Sequence, residues 1–123
     1  FYTGRGPDGL FLATMPADVT RRLIERGRGR YNIYCAVCHG YEGDGQGMVG
    51  NQNPWGWSYA VPSFHLEAYV QADAANPSSE LWKDGYLFHI ARNGKYAPDG
   101  RQLMPPYAHA IDERDGWAVV AYI

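Results

Sequence analysis

"YNIYCAVCHGYEGDGQGM", residues 31–48, holds both cysteines of the chain, and a histidine follows the second one directly. Three chemistries use two thiols at that spacing. A redox disulfide is one, but thioredoxin-like pairs sit in a βαβ setting and need no histidine behind them. A structural zinc needs four ligands, from two such pairs or from a CxxC answered by an HxxxH. The other histidines, His65, His89 and His109, are isolated singletons. Covalent haem attachment is the third: Cys35 and Cys38 form thioethers to the two vinyl groups and His39 becomes the proximal iron ligand. Residues three and four apart lie one helical turn from each other, so a helix turns Cys35, Cys38 and His39 toward the porphyrin together. The motif uses every cysteine present, which favours the third reading and one covalently bound haem c.

Bulk properties agree with a small cofactor protein. The chain has 123 residues, the length of one domain. Its ten tyrosines and four tryptophans suit a flat apolar ligand, although an ordinary aromatic core accounts for a good share of them. A net charge of −2, from 11 basic and 13 acidic residues, gives no case for nucleic acid. Arg21, Arg22, Arg26, Arg28 and Arg30 cluster before the motif, whereas Glu67, Asp73, Glu80, Asp84, Asp112, Glu113 and Asp115 come later. A solvated helix face is the default reading of the arginines, and a docking patch for an acidic partner the second. The longest apolar run, residues 117–123, is far short of a membrane span. Membrane contact is therefore expected only through partners or a lost lipid anchor. The chain starts at Phe1 with no initiator methionine or signal-like segment, as a processed or trimmed product does. Thioether attachment takes place outside the cytoplasm, so the haem reading implies an exported protein, periplasmic or on the outer face of the cytoplasmic membrane.

Residues 1–15 are aperiodic and read as an N-terminal extension over the surface of a domain spanning 16–123. Pro16 is placed for a first helical turn, and Val19, Leu23, Gly27 and Tyr31 recur every four residues. Glycine costs a helix about 1 kcal/mol relative to alanine, so Gly27 in that stripe implies a second backbone crossing there. Asp112 can cap a helix from Glu113 in which Trp117, Val120 and Ala121 form one apolar face, and this pattern is still running at Ile123. A middle helix over 84–92 buries Leu87, Phe88 and Ile90 or Ala91 and stops at Asn93-Gly94. Asn76-Pro77 is placed to start a shorter turn. Pro98-Asp99-Gly100 is a turn between short strands at 95–97 and 101–103, a small β-hairpin. The loop 40–62, with "GDGQG" and "NPWGWSY", lacks both a GxGxxG after a strand and a GK[ST], so it is no nucleotide loop. It is expected to pass close to the haem edge, where glycines permit approach.

An iron held by His39 has a second axial position, and its occupant decides the function. A methionine closes it and favours electron transfer, whereas an open position binds small gases or peroxide. Met48 follows His39 too closely to reach around the ring, and Met15 would have to cross the molecule. Met104 sits in "LMPPYA", an extended segment stiffened by Pro105 and Pro106. It is the expected ligand, with His65 the runner-up. His89 and His109 read as surface or hydrogen-bonded residues.

These residues together resemble the class I cytochrome c family over nearly the whole chain after residue 16. In that family a glycine and an aromatic stand eight and four residues before the first haem cysteine, matched here by Gly27 and Tyr31. The C-terminal helix of the family carries an aliphatic residue and then an alanine-aromatic pair, matched by Val119, Ala121 and Tyr122 in "VVAYI". The resemblance implies a mainly α fold wrapped around one haem, with the two terminal helices crossing at the glycine. It also implies a proline whose carbonyl accepts a hydrogen bond from the proximal histidine and orients it. Pro62, in "VPSFH", is the candidate, with Pro54 the alternative. More narrowly, "YCAVCHGYEGDGQGMV", "VPSFH", "DGYLFHIARNG", "MPPYA" and "WAVVAYI" resemble the monohaem cytochrome subunit associated with bacterial alternative complex III. The stretch "KYAPDGRQL" departs from that pattern as an insertion before Met104.

The resemblance implies an electron-transfer protein rather than an enzyme. It would cycle Fe(III)/Fe(II) in a respiratory chain between a quinol-oxidising complex and a terminal oxidase, its redox partner proteins. The competing reading is a haem enzyme or gas sensor with an open distal site, for which His65 or Arg101 would be the polar distal residue. A non-haem metal or structural module is the third.

Overall fold

A computed structural model of the chain describes residues 1–48, 61–66, 69 and 79–123. Among these, the elements run α1 (Arg21–Tyr34), α2 (Ala36–His39), α3 (Asp84–Asn93), β1 (Lys95–Tyr96), β2 (Gln102–Met104) and α4 (Glu113–Tyr122). Pro54 and the Asn76-Pro77 turn lie outside the described residues.

The first helix starts later than the proline suggested. Thr20 is its N-cap, and the threonine hydroxyl accepts from Leu23 N at 3.1 Å, satisfying one of the N–H groups that a helix start leaves without a partner. Val19 precedes the cap and is 57% exposed, so no burial rewards a helix extended back to Pro16. Gly27 and Tyr31 are the buried residues of α1. A Cβ at Gly27 would overlap the Ala118 carbonyl, so α1 and α4 cross backbone against backbone. Beside the crossing, the Tyr31 and Tyr122 rings lie 5.3 Å apart.

The helix α4 is capped by Asp112, whose carboxylate accepts from Asp115 N at 2.8 Å. Trp117, Ala118, Val119 and Val120 are all buried, and a large apolar side chain contributes about 1.5–3 kcal/mol when fully buried. One side of α4 gives Val119 to a cluster with Tyr31, Cys35 and Ala36. The other gives Trp117 and Val120 to a cluster with Phe88. Asp115 is buried and receives Arg26, through Nε and, at 3.1 Å, Nη2, with Arg30 Nε 3.5 Å away. The arginine cluster is therefore more than a solvated face: two of its members tie α1 to α4.

The helix α3 stacks Phe88 on Trp117 with ring centroids 4.2 Å apart. Its fully buried residues are Gly85, Phe88 and Ala91, while Leu87 and Ile90 are half-buried. The N-terminal extension does lie on the surface, but it is clamped there. Leu12 N donates to the Gly4 carbonyl, Gly85 N to the Leu12 carbonyl, Met15 N to Asp84 Oδ2, and Trp117 Nε1 to the Phe1 carbonyl. Phe11 packs edge-on against Tyr86. The hairpin is present: β1 and β2 pair antiparallel, Lys95 with Met104 and Tyr96 with Gln102, with an irregularity between the two pairs. Its second strand runs one residue further than expected and includes Met104.

Candidate functional site

Between these elements lies an apolar cleft, part of it open to solvent. Cys35, Cys38, His39, Pro62 and Met104 all line it, so the five candidate site residues come together from three separate segments. Tyr31 and Val119 from the helix crossing, and Tyr86, Leu87 and Ile90 from α3, supply apolar wall.

The motif is placed by a break in the helix. Cys35 closes α1 and opens α2, and its carbonyl accepts from both Cys38 N and His39 N, at 3.1 and 2.9 Å. One tight turn thus gathers the two thiols and the imidazole. The glycine-rich loop then folds back beneath it: Gly45 N donates to the His39 carbonyl, Gly47 N to the Cys38 carbonyl, and Phe64 N to the Gly43 carbonyl. The Tyr31 hydroxyl donates to the Gly40 carbonyl at 2.7 Å. Among the described residues, Gly45 N and Gly47 N of this loop are taken up by carbonyls of α2.

Both cysteines are free thiols. Burial, and then the neighbouring Cys38, push the Cys35 thiol up to about 12, and burial also raises Cys38. An activated redox pair has the opposite bias, toward thiolate. His39 is 8% exposed, and burial pulls its pKa down to about 4 against the raising effect of the Pro62 backbone acceptor. That approach is looser than a standard hydrogen bond, since the buried Nδ1 keeps no partner at such geometry. Phe64 stacks on the imidazole, centroids 4.7 Å apart. Sequence reasoning passed over Phe64. The aromatic two residues after Pro62 was the available signal.

Of the three methionines, Met104 alone lines the cleft. Met48 is 81% exposed, and Met15 packs on the Phe88–Trp117 cluster. His65 is exposed on the surface with Nε2 2.6 Å from the Glu42 carbonyl, His89 contacts Asn93 and Phe11, and His109 stacks on Tyr107. Neither His65 nor Arg101 is on the cleft wall. Among the described residues no group of three or more His, Cys, Asp or Glu side chains is arranged to hold a metal ion.

A buried imidazole, two free thiols one turn away and an aromatic-lined cleft fit a covalently attached porphyrin. Residues 22–123 match the family model described as cytochrome c oxidase, cbb3-type, subunit III. A curated cytochrome c from Gibberella zeae is 29% identical over 101 residues, covering 81% of this chain and 91% of that relative. Among solved structures, cytochrome cL from Methylophaga aminisulfidivorans aligns with a TM-score of 0.51 and 16% identity over 83% of this chain and 51% of its own. Cytochrome cL from Hyphomicrobium denitrificans gives 0.51 and 19% over 81% and 45%. A chain of the reducing HAO-like protein complex of Kuenenia stuttgartiensis gives 0.61 and 20% over 96% and 50%. The chain spans about half the length of these solved chains, and at such identities the likeness concerns the fold. The chain belongs to the cytochrome c family represented by that cbb3-type domain. It is a mainly helical class I c-type cytochrome, an electron-transfer protein carrying covalently attached haem c, with Cys35, Cys38 and His39 in the CxxCH spacing.

Proposed function

We propose that this cytochrome is a respiratory electron relay with His39 and Met104 as axial ligands and thioethers at Cys35 and Cys38. It would take electrons from a quinol-oxidising complex and hand them to a terminal oxidase. The observation that carries the reading is that Met104 and His39, from distant segments, line one apolar cleft, and no other methionine does so. When bound, the haem supplies the one-electron Fe(III)/Fe(II) couple, and a methionine sulfur beside histidine raises its potential.

The chain's own residues do the rest. Pro62, whose backbone acceptor approaches His39, would orient the ring through its carbonyl, as an outer partner does for a metal-bound histidine. Tyr31, Val61, Leu87, Ile90 and Val119 keep water from the cleft and lower its dielectric. Pro105 and Pro106 restrict the segment that delivers Met104. Membership of the cytochrome c family supports reading the protein as a carrier rather than an enzyme.

The resemblance of the motif segments to the cytochrome subunit of alternative complex III supports that complex as the electron donor. Haem attachment by thioethers supports an exported protein, periplasmic or on the outer face of the cytoplasmic membrane. No helix among the described residues is long and apolar enough to cross a membrane, so membrane association would come through partners or a lipid anchor. The test is reaction of the reduced holoprotein with carbon monoxide at neutral pH. A closed His/Met site gives no rapid binding; rapid binding discards the relay reading in favour of an open distal site.

A further inference from the structure

Gly94 ends α3 with φ 78° and ψ −178°, a backbone region that is essentially glycine's alone. Its surroundings are as restrictive as its dihedrals. A Cβ there would stand 2.6 Å from the Met104 carbonyl oxygen, 3.0 Å from Pro106 N and 3.2 Å from the Pro105 carbonyl carbon. All three are main-chain atoms, so no side-chain rotation can clear them. They belong to the segment that carries Met104.

The same turn grips that segment on both sides. Upstream, Lys95 pairs with Met104 across the ribbon. Downstream, Tyr107 N and Ala108 N both donate to the Arg92 carbonyl, at 3.2 and 2.9 Å. A carbonyl in the last turn of a helix has no partner within the helix, and here the methionine segment supplies it. The end of α3 and the delivery of Met104 are thus one hydrogen-bonded unit.

We infer that the C-terminal turn of α3, with Gly94 at its centre, is the positioning device that sets how far the Met104 sulfur reaches into the cleft. This rests on Met104 being the sixth ligand. Gly94 touches neither the sulfur nor the cofactor; it acts through the backbone of the segment it packs against. Any side chain at 94 pushes residues 104–106 away by several tenths of an ångström, and a metal–ligand bond tolerates little of that.

The experiment compares Gly94→Ala, Gly100→Ala and Met104→Ala as holoproteins. Gly100 shares the positive φ, at 88°, but has open space where its Cβ would be, so it controls for turn strain alone. Readouts are covalent haem by gel staining, the ferric absorption that marks methionine sulfur on iron, the reduction potential and carbon monoxide binding. Gly94→Ala is expected to keep its haem, lose most of the sulfur band, fall in potential and bind carbon monoxide about tenfold faster or more. Gly100→Ala should match wild type. If Met104→Ala alters the site while Gly94→Ala behaves as wild type, this inference alone is overturned; if Met104→Ala itself behaves as wild type, the ligand reading falls with it. Should Gly94→Ala fail to fold, Ala108→Pro, which removes one donor to the Arg92 carbonyl, decides by the same readouts. A wild-type band and carbon monoxide exclusion there would overturn the inference.

Discussion

The two walls of the cleft are built in contrasting ways. On one, Cys35, Cys38 and His39 lie within five consecutive residues, on a turn whose carbonyls are closed off by the loop behind it. On the other, Met104 arrives from far along the chain on a three-residue strand paired with a two-residue one. The first wall is fixed by covalent neighbours and a buried helix crossing; the second depends on a few backbone hydrogen bonds and one close approach at Gly94. On the proposed ligation, the haem is held by one wall and its redox properties are set largely by the other. Loss of the first wall is then expected to abolish the holoprotein, and damage to the second to leave a haem protein with different chemistry.

The contrast can be broken most severely at the thiols. Cys35→Ala/Cys38→Ala is expected to abolish covalent haem altogether, read as loss of haem staining on a denaturing gel. Met104→Ala should leave that staining intact while lowering the reduction potential by tenths of a volt, within the roughly 0.8 V over which axial ligands move haem potentials. Gly27→Ala strikes the crossing that supports the first wall. Overlap with the Ala118 carbonyl should cost about 1–3 kcal/mol, seen as a lower melting temperature of the holoprotein with little change in its spectrum.

Smaller effects sharpen the same comparison. Asp115→Asn strips the charge from the carboxylate that joins Arg26 and Arg30 across α1 and α4. Arg26 is half exposed, so screening weakens the pair, and the variant is expected to show only a modestly lower midpoint in denaturant unfolding. Asp84 belongs to the second wall's helix, and burial holds its pKa above the ordinary carboxylate value despite the Met15 N–H. The folded state therefore keeps that proton to higher pH than the unfolded chain does. Asp84's contribution is most favourable below the ordinary carboxylate value and declines as pH rises through the raised one. Asp84→Asn should flatten that acid-side slope and change stability at neutral pH by less than about 1 kcal/mol.

Much of the first wall was readable because its chemistry is local. The CxxCH spacing and the Asp112 cap each bear directly on neighbouring residues, and α4 begins where the cap placed it; Gly27 stood out as a costly residue in a helical stripe. The start of α1 was missed because proline permits a first turn without requiring one, while Thr20 offered a cap and Val19 had nothing to bury against. Arg21, Arg22 and Arg28 do form a solvated face, but Arg26 and Arg30 were misjudged because their partner, Asp115, lies on another helix. On the second wall, the hairpin was legible from Pro98-Asp99-Gly100, but its register and the role of Gly94 were not. A helix-ending glycine looks the same in sequence whether it faces water or the backbone of a distant segment.

Tyr86 both lines the cleft and receives the edge of Phe11 on its other side, so the extension forms an outer sheath over α3. A helix with its side chains is about 10 Å across, and the sheath adds a further layer beyond it. Electron tunnelling falls off steeply with distance, so a partner docked on that flank would be kept too far away to exchange quickly. On the proposed relay reading, exchange is expected from the sides that the extension does not cover. Main-chain bonds fix its path, and Phe11, Leu12 and Met15 add packing against α3 and the Phe88–Trp117 cluster.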